Sequence, residues 1–183
     1  MRKVVVYELL SLDGVAERPE TFLTEWDAEM DENLASVIGE QDAVILGRAS
    51  HDEWADYWRT AEDQPFSGFI NPVPKYVATS TPLDRGWENA TAIDGGLIDF
   101  VRQLKDQSGG VIGVHASIAV AQALLTAGLV DEVKVVIAPV IVGRGRRLFD
   151  GLPGIRLELV KSVTSSTGHL LVDYRILQPT TAA

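Results

Sequence analysis

The hydrophobic and polar positions of the chain form short apolar runs that alternate with segments of helical spacing. Residues 4–10 are mostly apolar, begin with three β-branched valines and end at a Ser-Leu-Asp-Gly turn, which predicts a strand. Apolar positions recur every three or four residues across 20–38, which predicts a helix. The same alternation continues to residue 138, with a loop expected at 59–73. Further strands are predicted at 42–46, 75–79, 91–93, 111–114 and 133–138, and further helices at 50–58, 97–104 and 116–127.

The pattern changes in the last part of the chain. Residues 139–148 are rich in Gly and Arg and predict a loop. Residues 155–163 and 169–177 alternate around a Ser-Ser-Thr-Gly turn, which predicts an antiparallel hairpin. Strands that alternate with helices indicate a mostly parallel sheet flanked by helices, so the hairpin forms an antiparallel edge. We therefore predict one α/β domain over 1–178 and a frayed tail at 179–183.

Composition mainly excludes classes of function. The chain has 183 residues and no cysteine, which excludes disulfides, cysteine zinc sites and a thiol nucleophile. Its net charge of −10 disfavours binding to nucleic acid. The three histidines do not stand at metal-ligand spacing, so we expect no metal. No apolar run is long enough to span a membrane, and we expect a cytoplasmic protein.

The candidate chemistry lies at the ends of three predicted strands, where open α/β sheets bind their ligands. Gly47-Arg48-Ala49-Ser50 and Ala116-Ser117-Ile118 each open a helix, and Thr79-Ser80 forms a turn. Free N–H groups at a helix N-terminus receive phosphate, and Arg48 adds a positive charge. Each motif alone could be a plain cap or turn. Together they favour a dinucleotide that carries an additional phosphate, although the Rossmann and P-loop fingerprints are absent.

These strand ends, in this order, resemble the dihydrofolate reductase-like superfamily. The likeness is strongest to the reductase domain of the bifunctional riboflavin-biosynthesis deaminase-reductase and to its stand-alone relatives. The most specific matching stretches are 127–132 (Ala-Gly-Leu-Val-Asp-Glu) and 139–149. Nearly the whole chain takes part. The resemblance implies a three-layer fold around an eight-stranded, mostly parallel sheet, NADPH as the cofactor, and an activity similar to 5-amino-6-(5-phosphoribosylamino)uracil reductase.

The resemblance also implies roles for single residues. The turn after the second strand, with Gly47, Arg48 and Ser50, would contact the cofactor phosphates. The hydroxyl turn, with Thr79 and Ser80, would lie near the adenosine 2′-phosphate. The turn after the fifth strand, with Ala116, Ser117 and Ile118, would hold the pyrophosphate. The loop 11–14 would cover the nicotinamide and the substrate, which makes Gly14 a candidate substrate contact. His115 would either touch the substrate or be a polar residue at the rim of the sheet.

The proton donor for the reduction is open. Asp13 is the first candidate, because it lies in the loop over the nicotinamide. The alternatives are a water molecule or a carboxylate on the predicted first helix, namely Glu25, Asp27 or Asp31.

The chain also departs from the family pattern. Ala116-Ser117 stands where the family usually has a glycine, and His115 stands where the riboflavin reductases carry a Glu. The sequence has no H-x-E with P-C-x-x-C signature, so we expect no deaminase half. Two hypotheses follow: an NADPH-dependent reductase of a small heterocyclic or carbonyl substrate, or a non-catalytic ligand-binding or regulatory protein with a decayed cofactor site. We also expect a homodimer, from the family and from the apolar run 133–142 near a predicted sheet edge.

Overall fold

The structure is a computed structural model and describes residues 1–177. The tail predicted at 179–183 lies outside the described residues. Eight strands are found over 1–177: β1 Val4–Ser11, β2 Gln41–Gly47, β3 Lys75–Ala78, β4 Ala90–Ala92, β5 Val111–His115, β6 Glu132–Ala138, β7 Leu157–Thr164 and β8 Leu170–Ile176. The α-helices of the same range are α1 Ala28–Ile38, α2 Arg48–Trp58, α3 Phe66–Ile70, α4 Leu97–Asp106 and α5 Ile118–Thr126.

All eight strands join one mixed sheet in the order β4-β3-β2-β5-β1-β6-β8-β7. The first six strands of that order are parallel, and β8 and β7 are antiparallel to their neighbours. The predicted mostly parallel sheet with a C-terminal antiparallel hairpin is thus confirmed. Because parallel strands end at the same edge, the ends of β1, β2 and β5 meet there.

Helices cover both faces of the sheet, which gives three layers. On one face Val4 and Val6 of β1 pack in a cluster with Leu124 of α5 and with α4. On the other face Tyr7 belongs to a second cluster that includes Met30 of α1 and residues of α2 and α3. Burial of each large aliphatic side chain contributes about 1.5–3 kcal/mol, so the two clusters hold the layers together.

The first helix is shorter than the spacing of apolar residues predicts. It starts at Ala28 rather than at residue 20. The Asp27 carboxylate accepts a hydrogen bond of 3.0 Å from the backbone N–H of Met30 and so caps the helix at this point. Before it, the chain forms a 3-10 turn at Pro19–Thr21 and then irregular structure. The apolar residues between 22 and 26 therefore lie in a loop and not in the helix.

The predicted loop at 59–73 contains the short helix α3, which the sequence analysis missed. Its Phe66 and Ile70 are buried. The ammonium of Lys75 donates hydrogen bonds of 2.8 Å to the Ile70 carbonyl and 2.9 Å to the Asn71 carbonyl at the end of this helix. A buried lysine thus satisfies the carbonyl groups that the end of a helix leaves free.

The apolar run 133–142 does not lie at a sheet edge, contrary to the sequence-based expectation. Most of it is strand β6, which pairs with β1 on one side and β8 on the other. Val133, Val135 and Val136 are accordingly buried in the core. The edge strands are β4 and β7, so the argument for a homodimer from this run fails.

Candidate active site

A cavity of about 1080 Å³ opens at the carboxyl ends of the central strands. One end is formed by the turns after β2 and β5, and the other by side chains of α1, α2 and α3. Four of the residues predicted for the site line the cavity, namely Ser50, His115, Ala116 and Ile118. This position agrees with the rule that ligands bind beyond the strand ends of open sheets.

The two predicted phosphate turns touch each other. The Ser50 hydroxyl donates to the Ala116 carbonyl at 2.7 Å, and the Ser117 hydroxyl donates to the Ser50 oxygen at 3.0 Å. Behind them the Gly47 N–H donates to the Ser117 hydroxyl oxygen at 2.9 Å. The N-termini of α2 and α5 are therefore held side by side at the cavity wall.

Ala116 adopts a backbone conformation that favours glycine. Its φ is +50°, in the left-handed region. An L-residue there costs roughly 1–2 kcal/mol. The helix consequently begins at Ile118 instead of at Ala116 as predicted. The turn adopts this shape without the glycine that the family usually has, so the departure noted in the sequence does not by itself prevent the turn.

Arg48 joins the start of α2 to the loop after β3, outside the cavity lining. Its guanidinium donates to Asp52 at 2.7 Å and to the Thr81 hydroxyl at 2.8 Å, and it also pairs with Asp84. The hydrogen bond to Asp52 raises the pKa of Arg48. The Thr79 hydroxyl bonds within the same loop, to the Thr81 carbonyl at 2.9 Å, and Ser80 is exposed. Thr79 and Ser80, predicted near the 2′-phosphate, thus lie in the same loop that Arg48 contacts.

The loop with Asp13 and Gly14 does not line the cavity. The Asp13 carboxylate accepts hydrogen bonds from the backbone N–H groups of Val142 at 3.0 Å and Gly143 at 2.9 Å, and it pairs with Arg147. The bond from Val142, followed by one from Ser11, lowers the pKa of Asp13 far below its ordinary value. An anion held in this way is a poor proton donor, so the geometry disfavours the predicted catalytic role of Asp13.

The other carboxylates considered as proton donors lie in different places. Asp27 caps α1, and its carboxylate accepts a hydrogen bond of 2.6 Å from the Thr167 hydroxyl. Burial alone raises the pKa of Asp27, but the hydrogen bonds, that from Thr167 first, outweigh it and lower the pKa. Glu25 is exposed and does not line the cavity. Asp31 does line the cavity, and its carboxylate accepts a hydrogen bond of 2.7 Å from the Trp26 indole N–H.

Sequence analysis missed Glu8, which lines the cavity from the middle of β1. Its side chain is buried and accepts a hydrogen bond of 3.2 Å from the Ser117 N–H, without a cationic partner in residues 1–177. Burial raises the pKa of Glu8 to about 8. Glu8 can therefore carry a proton at neutral pH. The signal in the sequence was a single acidic residue inside an otherwise apolar strand.

His115 lies next to Tyr7 on the opposite face of the sheet from Glu8, and it is buried as well. Its Nε2 lies 2.8 Å from the Gln41 side-chain oxygen. Gln41 reaches it by passing over Gly113, where any side chain would collide with the amide. Burial lowers the pKa of His115 to about 4. His115 is thus a neutral residue of the cavity wall.

Two kinds of site are not found over residues 1–177. No cluster of three or more His, Asp or Glu side chains in this range is placed to hold a metal ion. No helix of the range has the length and apolar character to cross a membrane.

The sheet order, the three layers and the cavity at the strand ends define a dihydrofolate reductase-like fold. Dihydrofolate reductase from Enterococcus faecalis complexed with NADP(H) has a TM-score of 0.67 and 16% identity to this chain, over 96% of this chain and 97% of its own. A Shewanella sp. PV-4 protein described as a riboflavin biosynthesis protein has a TM-score of 0.77 and 18% identity, over 96% and 99%.

Sequence comparison gives the family. The profile of the RibD C-terminal domain matches residues 2–171, so the chain belongs to this family. It is also similar to the uncharacterized protein YyaP of Bacillus subtilis (strain 168), with 26% identity over 178 residues and 94% of both chains. The resemblance inferred from the strand-end motifs is thereby confirmed.

Proposed function

We propose that this protein is an NADPH-dependent reductase that transfers a hydride to a small heterocyclic or carbonyl substrate. Membership of the RibD C-terminal domain family and the reductase-like fold support the proposal. The observation that carries it is the pair of turns at 47–50 and 116–118, which hydrogen bonds join at the cavity wall. Bound NADPH would supply the hydride, so the protein has to bind, orient and provide a proton.

The residues fit such a cofactor in two places. The adjacent N-termini of α2 and α5 offer a region of positive dipole for the pyrophosphate, with small side chains at Ser50, Ala116 and Ser117. Arg48, with Thr79 and Ser80 on the same flank, would receive the 2′-phosphate. Because Asp84 pairs with the guanidinium, a phosphate there would replace that carboxylate as a partner of Arg48.

Glu8 is the group that we propose to supply the proton. It lines the cavity, and with its pKa raised to about 8 by burial it holds a proton at neutral pH. A general acid works best when its pKa lies near the working pH. Asp13 does not meet this condition, because its hydrogen bonds hold it as an anion.

Titration of the purified protein with NADPH and NADH tests the proposal. Trp54 and Trp58 line the cavity, so we expect their fluorescence to change on binding, with micromolar affinity and a preference for NADPH. Replacement of Arg48 by Ala should abolish that preference. Arg102→Ala removes the same charge from an exposed position of α4 and should leave it intact. Failure of both nucleotides to bind at millimolar concentration would refute the proposal.

A second candidate is a non-catalytic ligand-binding or regulatory protein on the same fold. The specific observation in its favour is Ala116, whose side chain occupies a left-handed position in the pyrophosphate turn. Mass spectrometry of nucleotide released from freshly purified protein separates the two candidates. Recovery of NADP(H) supports the reductase, whereas its absence together with failed titration supports the second candidate.

A cytoplasmic location and a homodimer complete the proposal. NADPH-dependent reduction suits the cytoplasm, where that reductant is available. The dimer follows from the family resemblance alone, since the apolar run first used for it is buried in the sheet.

A further inference from the structure

The end of the cavity away from the two turns has aromatic walls, which we call the ring end. Its side chains come from α2, α3 and the segment before α1: Leu23, Trp26, Trp54, Trp58 and Phe66. The Phe66 ring centroid lies 5.3 Å from that of Trp54 and 4.8 Å from that of Trp58, both in edge-to-face contact. Rings that pack against each other in this way form a stiff apolar surface. Such a surface suits a flat ring system.

One buried polar group beside the ring end lacks a partner. Tyr7 lines the cavity and is 5% exposed, and its hydroxyl makes no hydrogen bond to the rest of the chain as far as the structure describes it. The hydroxyl oxygen is itself covered by the surrounding side chains, so it does not present a polar atom to a ligand in the cavity. The heterocyclic class of the ligand therefore comes from the proposed reductase function and not from this hydroxyl.

The charges around the ring end are mainly negative. Carboxylates of five residues line this part of the cavity: Glu20, Asp31, Glu53, Glu62 and Asp63. Glu53 and Glu62 make no hydrogen bond or ion pair with any residue of 1–177. No lysine belongs to the lining that the structure describes.

The arginines of the lining do not offset these carboxylates. Arg146 donates to Glu17 at 2.9 Å, and Arg18 lies 3.8 Å from Glu20. Each guanidinium is therefore already paired with a carboxylate of the same lining. A phosphate or carboxylate on a ligand would therefore face a wall with more carboxylates than guanidinium groups.

We infer that the ring end binds a planar heterocycle without net negative charge and discriminates against phosphorylated or carboxylated rings. The inference rests on the proposed reductase function, since it names the class of substrate. It separates this protein from a reductase of the phosphoribosyl pyrimidine, whose phosphate would be repelled by the excess of carboxylates here.

A matched pair of probes tests the inference. Pterin and pterin-6-carboxylate share one flat ring system and differ by a single negative charge at neutral pH. We expect pterin to quench the cavity tryptophans with a dissociation constant about tenfold lower than that of the carboxylate, as repulsion from nearby charges at intermediate dielectric predicts. Equal affinities, a reversed order, or no binding of either probe at millimolar concentration would overturn the inference.

Variants show whether the carboxylates are the cause. Replacement of both Glu53 and Glu62 by Gln should bring the two dissociation constants to within about threefold of each other. Asp106→Asn is the control, because it removes an exposed charge at the end of α4, away from the cavity. If the double variant keeps the full discrimination, the inference is wrong.

The same preparations keep the two proposals separate. Binding of NADPH without discrimination between the probes overturns the inference and leaves the reductase proposal standing. Discrimination between the probes without binding of NADPH refutes the reductase proposal and leaves the ring end as a site for an uncharged heterocycle.

Discussion

Glu8 and His115 illustrate how burial acts in opposite directions on an acid and a base. They occupy the neighbouring strands β1 and β5 and face opposite sides of the sheet, and neither has an ionic partner within 1–177. Burial disfavours the charged form of each, so it raises the pKa of Glu8 to about 8 and lowers that of His115 to about 4. Both side chains are therefore mostly uncharged at neutral pH.

The pH dependence of stability follows for His115. The unfolded state takes up a proton near pH 6.5, whereas the folded state does so only near pH 4. The contribution to the free energy of unfolding is therefore full above about pH 6.5 and is lost as the pH falls towards 4. In His115→Gln we expect this loss, on the order of 2–4 kcal/mol, to disappear, as urea unfolding at several pH values can measure. An unchanged pH dependence in the variant would show that His115 titrates normally.

Glu8 has the opposite dependence. Its folded pKa of about 8 lies above the ordinary value of 4.5, so its contribution is full below pH 4.5 and is lost as the pH rises through 8. We expect Glu8→Gln to unfold at higher urea concentration than the unsubstituted protein at pH 8.5, and the difference to shrink at pH 5. Glu158→Gln, an exposed control on β7, should show no such dependence. A Glu8→Gln protein that is less stable at pH 8.5 would contradict the raised pKa.

Among the elements, the loop 139–148 depends on one carboxylate of the loop after β1. Asp13 accepts hydrogen bonds from Val142 and Gly143 and pairs with Arg147, so a single side chain joins the two loops. In Asp13→Asn the amide can turn only one oxygen toward these donors. We expect the amides of Val142 and Gly143 to exchange hydrogen severalfold faster, which NMR can measure, while those of α4 stay unchanged. Unaltered exchange in the loop would mean that other contacts hold it.

The elements also show what sequence patterns can and cannot predict. The strands and most helices could be predicted, because their apolar spacing reports directly which face is buried. Helix α3 was missed, since five residues are too few for a periodic signal. The first helix was predicted too long, because Phe22 and Trp26 keep helical spacing although Asp27 caps the chain after them.

The candidate site was predictable to a different degree. The turns at 47–50 and 116–118 could be found, because each motif is local and follows a strand. Glu8 could not, since its significance depends on burial by residues distant in sequence, such as Ser117. The same holds for Asp13, whose partners lie about 130 residues away.

At the scale of the whole molecule, β7 forms one edge of the sheet and has only β8 as a neighbour within residues 1–177. Leu157, Leu159 and Val160 are all exposed along this strand. Exposed edge strands readily pair with another chain. If the predicted homodimer forms, this edge offers an apolar surface for it. We then expect sedimentation to give a dimer at micromolar concentration and Leu159→Lys to give a monomer, with Lys161→Glu as an exposed control on the same strand. A monomer of the unsubstituted protein would contradict the dimer.

The central position of β1 has a consequence for synthesis on the ribosome. Val4 pairs with Ile112 and Val5 with Glu132, so both neighbours of this apolar strand are made more than a hundred residues later. At translation rates of about 5–20 residues per second, β1 remains without a partner for roughly 5–20 s. The nascent chain thus carries an apolar strand without its partners until β5 and β6 are made, and chaperones that bind such segments have that interval in which to act.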